Sequence, residues 1–314
     1  MTMAQTQRVQ PNTGGTYATP LRYPGGKGRL GPWLGQVMLH NGISGGWYVE
    51  PYAGGAGAAM YLLTQGYVEH IVINDIDPVV HAFWTAATEQ TDELVKRVRT
   101  TAVTMETWNR QRAIVDEPKN RDSVDLGFAA FFLNRTNRSG ILSAGVVGGK
   151  AQSGRWKLDA RYNVEVLCQR IAMIGALKRQ ITVLGMDAVD LLTDVAPGFP
   201  KKCLVYLDPP YYLKGALLYR NHYQRNDHAA VADCVVGAEY PVVCTYDNCT
   251  EVRELYRDLE SANFSLHYST HARRPMTQEV LFYKNLELPF EPRMTRGAQF
   301  KRPTVNLVRT QEMH

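Results

Sequence analysis

WYVEPYAGGAGAAMYLLTQGYVEHIVIND, residues 47–75, decides the fold. It opens on a short strand, WYVE (47–50), and turns through three glycines, Gly54, Gly55 and Gly57. It continues as a helical run, AGAAMYLLTQ (56–65), and closes on EHIVIND (69–75). Consecutive branched residues in that last run read as a strand buried on both faces, as in a parallel sheet.

The alternation continues outward. PVVHAFWTAATE (78–89) reads as a helix with Pro78 in its first turn and Asp77 as its cap. Strand runs follow at ITVLG (181–185), CLVYLD (203–208), YPVVCTY (240–246), FSLHYS (264–269) and EVLFYK (279–284). Between them lie the helical runs DAVDLLTD (187–194), DHAAVADCVVG (227–237) and EVRELYRDLE (251–260). Asp227 is expected to cap the second of these, with Gly237 just past its end. No helix separates the last two strand runs, which allows a terminal antiparallel hairpin. The pattern predicts an α/β fold: a doubly wound, mainly parallel sheet with helices on both faces. Residues 91–176 read as mostly helical around a basic loop at 136–162. The expected division is a mobile tail 1–19, a main domain from 20–90 and 177–288, an insertion 91–176, and a basic tail 289–314.

Composition narrows the class. The chain has 314 residues, 45% hydrophobic and 21% charged, which argues against a disordered or fibrous protein. No apolar stretch reaches the roughly 18 residues that span a bilayer, so no membrane association is expected. The N-terminus lacks an apolar segment, so no signal peptide is expected. The five cysteines form no CxxC pair; free thiols, a cytoplasmic location and no metal site are expected. The net charge is +5. Residues 131–161 hold Arg135, Arg138, Lys150, Arg155, Lys157 and Arg161 against Asp159 alone, so that stretch equals the whole excess. Concentrated positive charge among glycines and serines fits polyanion binding.

Four stretches carry chemistry. The Gly-rich turn lets a ligand approach the backbone, and the following helix N-terminus favours negative groups. It lacks the GK[ST] and GxGxxG endings, and a plain strand–helix turn also explains it. Asp75, about 20 residues on at the end of the next strand, suits hydrogen bonds from ribose hydroxyls. In PLRYPGGKGRL (20–30), a flexible turn presents Lys27. DPPYY (208–212) places two prolines at the mouth of a buried strand. They make a stiff turn that holds Asp208 before it and an aromatic after it at the sheet's ligand-binding edge. A solvated Asp at a strand–turn junction is the alternative.

RYPGGK, VEPYAGGAG, INDID, a long insertion and YLDPPYY, in that order and spacing, resemble the DNA N6-adenine methyltransferases of the Dam-like, D12 class, over roughly residues 20–285. FFLNRTNRSGIL (131–142) resembles the family's target-recognition entry; TYDN (245–248), RELY (253–256) and EVLFYKN (279–285) resemble its late strands. GVVGGKAQSGRW (145–156) matches no member whose recognition sequence would follow.

The resemblance implies a seven-stranded methyltransferase sheet with an inserted, mostly helical DNA-recognition domain. It implies S-adenosylmethionine as methyl donor, with S-adenosylhomocysteine as product. Tyr23 and Lys27 would hold its methionine end, and Pro51, Ala53, Gly54, Gly55 and Gly57 would lie under it. Asp75 would bind the ribose, Asp187 the cofactor's adenine, and Asp208 would border the same site. Asp208 and the Pro209 carbonyl would accept hydrogen bonds from the target N6 amine, Pro210 would stiffen the turn, and Tyr211 would stack on a base flipped out of the duplex. Arg135, Asn137 and Arg138 would read bases, and Lys150, Arg155 and Lys157 would meet phosphates. The expected partner is double-stranded DNA, met by a monomer or weak dimer, in a prokaryotic or phage-infected cell. A restriction endonuclease partner is compatible. Cytosine N4, RNA adenine, and a non-catalytic DNA-binding module are the competing readings.

Overall fold

The computed structural model describes residues 19–23, 26–213, 223–267 and 276–294. The tail expected at 1–19 lies outside them except for its last residue, as do Pro24 and Gly25 of RYPGGK and the tail beyond residue 294.

Seven strands form one sheet: β1 Trp47–Glu50, β2 His70–Asn74, β3 Ile181–Leu184, β4 Cys203–Leu207, β5 Val242–Asp247, β6 Glu260–His267 and β7 Met276–Lys284. Their order is β3-β2-β1-β4-β5-β7-β6. The first five pair in parallel. β7 runs antiparallel to both β5 and β6, which makes the expected terminal hairpin.

Successive residues of a strand point to opposite faces, and the two faces are covered differently. Tyr48, Ile71, Ile73, Leu204, Tyr206 and Val243 belong to one buried cluster. It is covered by α1 Gly31–His40, α2 Gly57–Thr64, α3 Pro78–Glu89, α4 Thr91–Thr100, α5 Met105–Asp116, α6 Ser123–Thr136 and α7 Val164–Ala176. Val49, Val72, Cys203, Val205, Leu207 and Cys244 form the other cluster. It packs against Leu191 and Leu192, just after the short α8 Ala188–Asp190, and against α9 Arg225–Gly237 and α10 Thr250–Leu255. Helices on both faces bury the central strands, and all five residues of β4 are buried.

Residues 91–176 add four helices to the first face. Their side chains Leu94, Val98, Trp108, Phe131 and Ile171 share one buried cluster with Tyr48 and Ile71 of the sheet. The contact runs through α3 and α6, where the Phe83 and Phe131 rings stack at 6.2 Å. The insertion is therefore continuous with the sheet's own core.

Helix ends differ in detail from expectation. Asp77 caps α3 through the Val79 N–H at 2.9 Å, as expected. Asp227 does not cap α9: Gln224 does, and Asp227 accepts the Gln224 N–H at 2.7 Å from inside the first turn. Gly237 is that helix's last residue rather than the one beyond it. The helix expected at 251–260 ends at Leu255, and Glu260 already begins β6. Tyr256, stacked on Phe282 of β7 at 4.6 Å, marks where the chain turns back into the sheet.

The strand order reverses between β1 and β4. In open α/β sheets the crevice outside the carboxyl ends of such a strand pair is where ligands bind. Here the Gly-rich turn leaves β1 and Asp208 follows β4 directly.

Candidate active site

The turn after β1 is fastened from three sides. The Ala53 N–H donates to the Asn74 carbonyl at 2.8 Å. Asn74 Nδ2 donates to the Pro51 carbonyl at 2.9 Å, and Trp84 Nε1 to the Gly54 carbonyl at 2.9 Å. The Gly54 N–H donates to Asp75 Oδ2 at 2.9 Å, which ties the turn to the acid at the end of β2. Two close approaches require glycine here. A Cβ on Gly54 would lie 2.8 Å from the Tyr23 ring. A Cβ on Gly57 would lie 2.9 Å from the Gly28 Cα, where the single turn Lys27–Leu30 rests on the start of α2. Tyr23, Lys27, Pro51, Ala53, Gly54, Gly55, Gly57 and Asp75 are thus assembled in one place.

Asp75 Oδ1 accepts the Asp77 N–H at 3.0 Å, so each carboxylate oxygen holds one backbone donor. Burial pushes the carboxyl up to about 7, against the pull of these two N–H groups. Glu50, at the end of β1, is buried and accepts the Tyr48 hydroxyl at 3.0 Å and the Ala59 N–H at 3.1 Å. Burial pushes it up to about 8. Asp187 sits at the carboxyl end of β3 and accepts the Val189 N–H at 2.8 Å.

Across the crevice, Asp208 Oδ1 accepts Lys27 Nζ at 2.9 Å and the Thr245 hydroxyl at 2.9 Å. Lys27 is buried, and its Nζ also lies 3.0 Å from Glu279 Oε2. Burial alone would lower the ammonium's pKa; Asp208 and Glu279 reverse that and hold it well above the usual lysine value. Pro209 and Pro210 are buried. Tyr211 is 5% exposed, and its hydroxyl donates to Glu279 Oε1 at 2.7 Å. Asp247, the last residue of β5, accepts the N–H groups of Tyr212 and Leu213 at 2.9 and 3.1 Å. One carboxylate therefore pins the far end of the DPPYY turn.

The basic stretch divides. Among the described residues Arg135 meets no acid: its guanidinium donates to the Arg161 carbonyl at 2.9 and 2.6 Å and to the Pro20 carbonyl at 3.3 Å. Burial, with Arg22, Arg170 and Arg161 nearby, lowers its pKa. Asn137 is fully buried. It accepts Trp108 Nε1 at 2.8 Å and donates to the Ile141 and Leu142 carbonyls at 3.0 Å each. These bonds occupy the buried Asn137 amide that base reading would need, while Arg135 is half-buried with its guanidinium on two backbone carbonyls. Arg138, Lys150, Arg155 and Lys157 are exposed. Trp156, 63% exposed, carries Arg155 at 5.4 Å from its ring. The stretch is also joined to the crevice: Asn134 exchanges two 2.7 Å bonds with the Arg22 backbone, next to Tyr23.

Thr245, Asp247, Glu279 and Glu50 were not among the residues the motifs singled out for a role. Each lies inside a quoted run (TYDN, EVLFYKN, VEPY), so the signal was a polar residue in a strand otherwise buried. Among the described residues no group of His, Cys, Asp and Glu side chains is arranged to hold a metal ion, and no helix is long and apolar enough to cross a membrane.

Comparison with known proteins gives a family and a set of loose structural alignments, of which two follow. A Listeria monocytogenes protein described as a class I S-adenosylmethionine-dependent methyltransferase aligns at TM-score 0.35 and 12% identity, over 85% of this chain and 62% of that one. A Legionella pneumophila protein of family DUF519 aligns at TM-score 0.33 and 14% identity, over 88% of this chain and 87% of that one. Both alignments are too loose to bear on activity. None of the curated proteins matches. The family model for D12 class N6 adenine-specific DNA methyltransferases matches residues 23–274, most of the 314, and the chain belongs to that family.

Proposed function

We propose that this chain transfers a methyl group from S-adenosylmethionine to the N6 amine of an adenine flipped out of duplex DNA. One observation carries the reading: Asp208, held by Lys27 and Thr245 through one oxygen, closes the β4 side of a crevice whose β1 side is the Gly-rich turn and Asp75.

The residues fit the cofactor's chemistry. Each Asp75 oxygen spends one lone pair on a backbone N–H; an ionised carboxylate keeps a second on each for a ribose hydroxyl. An ammonium has three donors, and the two carboxylates on Lys27 leave a third for a methionine carboxylate. Pro51, Ala53, Gly54, Gly55 and Gly57 would lie under the methionine, and Asp187 beside the adenine ring. When bound, S-adenosylmethionine supplies an electrophilic methyl group on a sulfonium.

The chain's own work is on the amine. The N6 lone pair is delocalised into the purine ring. A carboxylate accepting a hydrogen bond from one N6–H and the Pro209 carbonyl accepting one from the other would pull the nitrogen toward tetrahedral geometry and free the lone pair, and the single proton N6 sheds on methylation would leave through that carboxylate to solvent. Charge developing in the transition state is met by groups already in place. Pro210 keeps the turn stiff and contributes no competing N–H. Tyr211 would stack on the base once its ring is presented to the crevice. Extracting that base from the duplex costs a few kcal/mol.

DNA binding would fall to the exposed members of the 131–161 stretch. Lys150, Arg155 and Lys157 suit phosphates, and Arg138 suits a guanine edge. Residues 91–176 would form the recognition region, built on the sheet's own core. Expression in a methylation-free host, followed by sequencing that reports methylated bases, tests the reading. N6-methyladenine recurring at one sequence supports it; unmodified adenine, or methyl groups on cytosine alone, overturns it.

A further inference from the structure

Glu279 lies in β7, paired in register with Asp247 of β5, and is 0% exposed. A carboxylate inside a sheet costs stability unless its oxygens are matched. Here the two oxygens are divided. Oε1 takes the Tyr211 hydroxyl at 2.7 Å and Oε2 faces Lys27 Nζ at 3.0 Å. Lys27 Nζ in turn lies 2.9 Å from Asp208 Oδ1 and 5.5 Å from the centre of the Tyr211 ring. One side chain therefore sets the hydroxyl end of the stacking aromatic and the ammonium that abuts the catalytic acid.

On the reading that Asp208 activates an adenine amine, we propose that Glu279 is a positioning residue for methyl transfer. It draws Lys27 away from full capture of Asp208, so that one Asp208 oxygen stays available to the N6 proton. It also anchors the hydroxyl end of Tyr211. Thr245 and Lys27 both bond to Oδ1 of Asp208, which leaves Oδ2 as the oxygen for the amine. Without the Glu279 charge, Lys27 has one carboxylate left and moves onto both of its oxygens, and Tyr211 loses its ionic acceptor. Both changes fall on turnover; neither touches Asp75 at the ribose end.

A purely structural role would show differently. It would lower the folded fraction and reduce every activity together. The distinguishing experiment compares Glu279→Gln, Tyr211→Phe and the double variant for kcat, KM for S-adenosylmethionine and Tm. Glu279→Gln keeps the shape and removes the charge. It is expected to lower kcat about tenfold or more, the scale of a misplaced reacting group, with a smaller rise in KM, since the displaced Lys27 also serves the methionine carboxylate, and with Tm close to wild type. Tyr211→Phe removes the same hydrogen bond from the other side, so the double variant should fall within about twofold of Glu279→Gln alone. Unchanged kcat in Glu279→Gln, or losses that multiply in the double variant, would overturn the assignment. If Glu279→Gln does not fold, Tyr211→Phe decides: full kcat there contradicts the role. Wild-type protein that makes no N6-methyladenine sinks the underlying reading; wild-type methylation with an equally active Glu279→Gln sinks this inference only.

Discussion

The crevice and the basic stretch were both marked in the sequence, one by motifs and the other by charge, and the structure treats them differently. At the crevice, residues far apart in the chain meet: Lys27 with Asp208 and Glu279, Gly54 with Asp75. In the basic stretch, Arg135 and Asn137 turn inward and spend their donors on backbone carbonyls, while Arg138, Lys150, Arg155 and Lys157 remain outside. A parallel sheet brings its strand ends to one edge, so a residue at a strand's end has a known destination. A count of charges gives no direction to any one side chain. A half-buried arginine needs several acceptors, and at Arg135 loop carbonyls supply them in place of a carboxylate.

Substitutions at four positions break or sharpen this contrast. Asp208→Ala should abolish methylation while leaving DNA affinity largely intact, since phosphate contacts supply most non-specific affinity and Asp208 makes none. Filter binding together with a methylation assay checks it. Substantial turnover would dissolve the crevice as a chemical unit.

Asp75→Ala should weaken S-adenosylmethionine binding at least about tenfold, because hydrogen bonds to a charged acceptor are worth about 1.5–3 kcal/mol each. The pH dependence has a definite sign. The Asp75 carboxyl is pushed up to about 7, and ribose hydroxyls favour its ionised form. Affinity should therefore rise as pH climbs through that value and level off above it. Asp75→Asn should flatten the curve. Calorimetry across that range reads both effects, and unchanged binding in Asp75→Ala would remove the ribose role.

Asn137→Ala should act on stability. It strands the buried Trp108 N–H and two carbonyls, each loss costing about 1–3 kcal/mol. A lower Tm with unaltered sequence preference in the surviving protein is expected. A changed preference at full stability would return Asn137 to base reading. The smallest effect belongs to Lys150→Ala. Its side chain is exposed, so Tm should hold while the salt dependence of DNA binding falls by about one phosphate contact. A salt titration with an unchanged slope would take Lys150 off the DNA.

The strands were legible because their patterns are strong: IVI (71–73) and CLVYL are apolar throughout, and the acids that follow them sit where the motifs put them. Glu279 was legible only as the polar head of VLF. Its partners Lys27 and Tyr211 come from the first turn and from the end of β4, and nothing in residue spacing links an antiparallel late strand to either. Asp247 and Thr245 were hidden for the same reason. Asn137 misled because an exposed recognition amide and a buried one that satisfies carbonyls have the same local sequence. The residues that decide between them, Trp108 and the turn at Ile141 and Leu142, are distant or without pattern. Asp227 fitted a cap, but Gln224 lies one turn earlier and takes the position, with Asp227 bonding back to it.

The central claim is that the crevice residues act together on an adenine amine, with Asp208 at the chemistry. Transfer of a radiolabelled methyl group from S-adenosylmethionine to plasmid DNA, followed by digestion to nucleosides, tests it most directly. Wild-type protein should place the label in N6-methyldeoxyadenosine, and Asp208→Ala, still binding DNA, should place none. Label in another nucleoside, or undiminished label from Asp208→Ala, would contradict the account.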